Sequence, residues 1–215
     1  MENIFCAETL NGIAQANPLA EQLASQAGIA MRPSGEPSGA SADLWFIDTA
    51  SGSNASSATG TPAHGAKLAV KVMRHGCAAP HKEALKSNEA YKSDWYKLRQ
   101  EYETFRGMDG AQGHAPVAYA LGWRIKKTPR GEVRYPALAM EYVEGVDIVE
   151  LREIISDERG EVTAADVLDT ARSIVTALLC CTVVSREDAR YLTTVSHRDL
   201  SSHNLRFMLD KDGRC

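Results

Sequence analysis

Aromatic residues are scarce in this chain. Phe, Trp and Tyr together supply 7% of it, so a core must lean on Ala, Val, Leu and Ile. An excess of one charge is also lacking: 24 Lys and Arg stand against 28 Asp and Glu, for a net charge of −4. A mildly acidic chain has no electrostatic footprint for nucleic acid. The opening Met-Glu-Asn-Ile-Phe-Cys has no basic region and no long apolar run, so no secretory signal is expected. The most apolar stretch, Ile174 to Val184, is interrupted by Thr176 and Thr182 and is too short for a bilayer. The five cysteines, Cys6, Cys77, Cys180, Cys181 and Cys215, are odd in number and form no C-x-x-C, which excludes a disulfide framework. A reducing compartment and a cytoplasmic location are expected, with no nucleic-acid and no membrane partner. No internal repeat is visible. What is there is ordinary for a globular protein: 215 residues, 44% hydrophobic and 24% charged, enough for one large domain or two small lobes.

The pattern changes several times along the chain. Residues 1–34 are Ala- and Gln-rich with few apolar anchors, Ile13, Leu19, Leu23 and Ile29, and read as weak helices or a leader of uncertain order. A small-residue turn from Gly35 leads into a strand over Leu44–Ile47. Residues 49–66 are mostly Ser, Gly, Ala, Thr and Asn and read as a flexible loop. Leu68–Met73 is a short apolar strand with Lys71 inside it. From Ser93 to Met108 the spacing becomes helical, with Trp95, Leu98, Tyr102 and Phe105 on one stripe. Val117–Trp123 and Val133–Val143 read as strands joined by the turn Lys126–Gly131. Beyond Gly145 the chain reads as helical. Thr163-Ala-Ala-Asp166 resembles a capping box, and Val167, Ala171, Ile174, Val175, Leu178 and Leu179 form a stripe over a helix at 164–182. A short strand is expected over Leu205–Leu209.

Charge inside these apolar patterns marks the candidate site. Glu101 lies on the stripe between Leu98 and Phe105, and a carboxylate turned inward needs a partner. Lys71 can supply it; Glu103, the alternative acid, points off the stripe. Near the end, His197-Arg198-Asp199-Leu200-Ser201-Ser202-His203-Asn204 sets an aspartate and an asparagine five positions apart in a polar segment. Met140-Glu141-Tyr142-Val143-Glu144-Gly145 closes a strand.

Taken in order, these segments resemble a eukaryotic-like protein kinase domain of the Ser/Thr or dual-specificity type. His197–Asn204 matches the catalytic-loop pattern H-R-D-L-x-x-x-N at every fixed position. Ala69-Val70-Lys71 resembles the strand that carries the phosphate-binding lysine. The resemblance runs from about residue 35 to the end and implies an α+β fold: a small antiparallel lobe over 35–145 with one helix, then an incomplete helical lobe over 146–215. It implies ATP and Mg2+ as cofactors and transfer of the γ-phosphate to a protein hydroxyl. Asp199 would be the catalytic base, Asn204 a metal ligand, Lys71 the holder of phosphates and Glu101 the holder of Lys71. Gly39 and Ala42 would approach the phosphates. Met140 would back the adenine pocket, with Glu141 and Val143 in the hinge.

The chain departs from the family's pattern in several places. Of the three positions of the glycine-rich loop, Pro37, Gly39 and Ala42, one is glycine. The 30-residue gap from Lys71 to Glu101 implies an insertion near His75–Asp94. Ser201 stands where the Ser/Thr branch carries a lysine that stabilises the transferring phosphoryl group. No D-F-G follows Asn204, so the reading is of a domain truncated before that segment, with little phosphotransfer. Two other classes share the pattern: a pseudokinase acting as a nucleotide-binding or interaction module, and a small-molecule phosphotransferase. The latter usually carries His-Gly-Asp, and Arg198 favours the protein-kinase branch. The stripe over 164–182 is expected to be exposed and to drive self-association or capture of a partner chain.

Overall fold

Pro129 and Arg130 make the tight turn between two 11-residue strands, and this hairpin is the spine of the sheet. Gly131 closes it at φ +120°, a conformation that L side chains rarely adopt. The structure, a computed structural model, describes residues 3–8, 23, 28–35, 41–48, 67–108, 115–180, 182–184, 192–194 and 205–208. It is α+β. The chain divides into two compact units, one of residues 1–106 and 117–142, the other of 107–116 and 143–215.

The first unit holds a seven-stranded antiparallel sheet. Its strands are β1 (Asn3–Ala7), β2 (Ile29–Ala30), β3 (Arg32–Pro33), β4 (Ala42–Asp48), β5 (Lys67–Met73), β6 (Ala118–Thr128) and β7 (Gly131–Glu141), in the order β2-β1-β6-β7-β5-β4-β3. Two helices follow β5: α1 (His81–Ser87) and α2 (Glu89–Met108). The strand alternation sorts β5 cleanly. Leu68, Val70 and Val72 pack on one side with Phe5, Trp45, Ile47 and Ala139. Met73 faces the other way and joins Ala42, Leu121 and Leu138 beneath Trp95, Leu98 and Tyr102 of α2. Both sides of the central strands are therefore covered, which is why β5 reads as a nearly continuous apolar run.

The N-terminal segment corrects the sequence reading. Asn3–Ala7 is a strand inside the sheet, paired with β2 on one side and β6 on the other, with Ile4 opposite Ile125. Phe5 is buried in the core, as is Leu23. Five residues are too few to show a period, and the β6 partner lies far along the chain. The expected insertion at His75–Asp94 carries α1 and the start of α2, which begins at Glu89 rather than Ser93. The loop expected at 49–66 lies outside the described residues.

The second unit contains α3 (Ile148–Arg159), α4 (Ala164–Cys180) and a two-stranded pair, β8 (Thr182–Val184) and β9 (Leu192–Thr194). Asp147 caps α3 by accepting from the N–H groups of Val149 and Glu150, and Glu150 returns a bond to the Asp147 N–H. Gly160 ends that helix at φ +81°. The box expected before α4 is formed. The Thr163 hydroxyl and N–H both donate to Asp166 and hold its carboxyl below the usual range. The helix expected over 164–182 stops at Cys180, because Thr182 already belongs to β8. The strand expected at Leu205–Leu209 reduces, among the described residues, to a single bridge between Phe207 and Val146.

Candidate functional site

Lys71 stands on the α2 side of β5, between Ala69 and Met73. Leu44 of β4 and Leu138 of β7 lie directly across from it on the neighbouring strands. Helical spacing then decides which acid meets it. Leu98, Tyr102 and Phe105 turn to the sheet, and Glu101 turns with them. The Lys71 ammonium donates to Glu101 Oε1 at 2.9 Å and to Oε2 at 2.8 Å. Glu103 points away and accepts from Arg99 one turn earlier, at 2.9 Å. The pair expected from the stripe is therefore formed, and the alternative acid is engaged elsewhere.

An ammonium has three donors, and two go to the carboxylate. Among the described residues the third has no partner, and the Lys71 side chain is 33% exposed, so it is open to an anion. The arrangement is a cation held among Leu44, Ala69, Met73 and Leu138. That donor set fits a phosphate oxygen, with Glu101 holding the amine in place.

The residues expected around the nucleotide are found as follows. Ala42 is buried on the same face, opposite Met73. Met140 pairs with Ala69 and packs against the α2-side cluster. Glu141 ties off the end of β7: its N–H donates to Val117 O at 2.8 Å, and its carboxylate accepts from the Val117 N–H at 3.1 Å. Its backbone donor is thus engaged within the unit. Val143 belongs to the second unit and is half-buried. Gly39, Asp199 and Asn204 lie outside the described residues, so the loop, the catalytic base and the metal ligand of the resemblance have no geometry here. No group of three or more metal-ligating His, Cys, Asp or Glu occurs among the described residues.

Sequence reasoning missed a second charged contact on the same helix. Asp94 is buried, its Oδ2 lies 2.9 Å from His75 Nδ1, and it accepts from the His75 N–H at 3.3 Å. The signal was available, since Asp94 is seven residues before Glu101 and so shares its face. Beside it lies an aromatic group. Trp95 and Trp123 stack at 5.5 Å, and His81 sits 4.3 Å from Trp95. His81 Nδ1 is 3.1 Å from the Tyr91 hydroxyl. Burial pushes that hydroxyl up to about 12 and pulls the His81 imidazole down, so both are neutral near pH 7.

Comparison with protein-family models, curated proteins and solved structures finds no match. No helix among the described residues is long and apolar enough to cross a membrane.

Proposed function

We propose that the chain is a protein-kinase-like domain that binds ATP for transfer of its γ-phosphate to a protein hydroxyl, with weak transfer expected because Ser201 stands in the place of the steadying lysine. The observation that carries this reading is the Lys71–Glu101 pair, a cation held by a helix carboxylate at 2.8 Å on the inner strand of an antiparallel sheet. In phosphoryl transfer of this type a strand lysine holds the nucleotide phosphates and a helix glutamate holds the lysine. The His197–Asn204 segment supports the same reading from sequence, with Asp199 taking the proton of the attacking hydroxyl and Asn204 offering an oxygen to magnesium. Magnesium, when bound, would neutralise charge on the phosphates. Gly39 and Ala42 would lie near the phosphates, and Met140, Glu141 and Val143 near the adenine.

The test measures MgATP binding by calorimetry and transfer of labelled γ-phosphate to a generic protein substrate. Binding that is lost in Lys71→Met, with labelling abolished by Asp199→Ala, supports the proposal. No binding by wild-type chain sinks it. Ser201, in the place of the lysine that steadies the transferring group, favours a second reading, a nucleotide-binding module. Binding without transfer selects that one.

A further inference from the structure

We propose that Asp94 is a positioning residue for the Lys71 site: by holding His75 it sets the register of α2 along β5 and so keeps Glu101 on the ammonium. The inference rests on the phosphate-anchor reading of Lys71 and deepens it. Asp94 is 4% exposed and is the one buried charged side chain among the described residues. A carboxylate removed from water needs directional partners, and both of its contacts come from His75, just beyond the end of β5.

Both contacts are made from one face of α2. Asp94 and Glu101 are seven residues apart, two helical turns or about 10.5 Å along the axis. Lys71 and His75 are four residues apart, with His75 just past the end of β5 at Met73. The helix runs against the strand, so the later acid meets the earlier cation and the earlier acid meets the later one. One register of α2 therefore serves both contacts, and a slide by one turn, about 5.4 Å, breaks both. Trp95 and Leu98 between them hold the helix down, but apolar contact is non-directional and does not choose among neighbouring registers. The Lys71–Glu101 pair is about a third exposed and is too weakly held to fix a helix alone. Asp94 at the other end is buried, although the ring it meets is 61% exposed, and its two contacts to His75 add a second directional constraint.

The experiment labels the full chain with an amine-reactive ester and follows Lys71 by peptide mass spectrometry, normalised to the exposed Lys97 of the same helix. Glu101→Gln frees the ammonium and should raise Lys71 labelling about threefold, the scale expected for an exposed pair. Asp94→Asn leaves a weaker, uncharged acceptor on His75 and should move it in the same direction, and the double variant should be no faster than Glu101→Gln alone, because Asp94 acts through Glu101. His75→Ala removes an exposed ring and keeps the backbone contact, so it should raise labelling less; it carries the test if Asp94→Asn does not fold. Unchanged Lys71 labelling in both His75→Ala and Asp94→Asn, with a rise in Glu101→Gln, overturns the positioning role and leaves the ion pair intact. Protection of wild-type Lys71 by MgATP reports on the phosphate reading separately. If protection fails while Asp94→Asn still accelerates labelling, that reading falls and the positioning role stands.

Discussion

Glu101 occupies a place on the α2 stripe where a leucine would stabilise more. A buried leucine contributes about 1.5–3 kcal/mol, whereas an ion pair exposed to this degree contributes about 0–1 kcal/mol. Charge at this position is therefore explained by what it holds. The double variant Lys71→Met/Glu101→Leu is expected to melt no lower than wild type in a thermal scan. It should bind MgATP at least about tenfold more weakly by calorimetry, a loss of about 1.4 kcal/mol. His81 gives a second expectation at this scale. Its folded-state pKa is depressed by burial below the ordinary value of 6.5. Below pH 6.5 the unfolded chain takes up a proton that the folded chain refuses, so this contribution is present above that pH and lost as pH falls toward the folded pKa. Glu8 opposes it, because burial raises its carboxyl pKa and folding then gains as pH falls. Comparing His81→Phe with wild type isolates the histidine. Urea midpoints at pH 7.5 and 5.5 should differ less in the variant.

Elements dock through a few close approaches. A Cβ on Gly122 would collide with the Cys6 carbonyl oxygen and meet Ala7 Cα at 2.8 Å, both on the backbone of β1. Gly122→Ala should push β1 off β6 at a cost of about 1–3 kcal/mol, with loss of amide-exchange protection at residues 3–7. The cap of α3 is a smaller effect: Asp147→Ala should cost about 1 kcal/mol by chemical denaturation of the full chain. These elements were unequally legible in the sequence. α2, β5 and the β6–β7 hairpin carry their own local periods, and the Thr163–Asp166 box is a local pattern too. The Asp147–Glu150 box obeys the same rule, with Asp in place of Ser or Thr at the cap. β1 could not be read, because its stability comes from Arg124, Ile125 and their neighbours about 120 positions later. α1 is seven residues long with Ala84 its buried residue, too short to show a period. In the site, Glu101 was legible as an inward carboxylate among apolar neighbours. Asp94 precedes Trp95, the first apolar residue of the stripe, so no stripe residue before it marks it as turned inward.

Over the whole molecule, apolar surface is unevenly covered. In the second unit α3 and α4 border an apolar cavity of about 400 Å³ lined by Leu151, Ile155, Ala171 and Ile174. Leu168 and Leu179 of α4 are 66% and 68% exposed, and Val167 and Val175 are more than half exposed. A run of this kind favours association between copies. Sedimentation of the full chain at tens of micromolar should show dimers or larger species, and Leu168→Glu/Leu179→Glu should return it to monomer; a monomeric wild type would show the face to be inert. The placement of β1 has a consequence for the making of the protein. Asn3 meets Arg124 across 121 positions, at 2.8 Å. A ribosome adding about 5–20 residues per second leaves the first strand waiting roughly 6–24 seconds for its neighbour. Throughout that interval the two residues of β2 are the partner available to β1, and the edge that will meet β6 stays open beside Ile4 and Phe5, the kind of species that holdase chaperones recognise. The nascent chain is thus most exposed to misassembly before β6 emerges, and slow translation should lower the soluble yield.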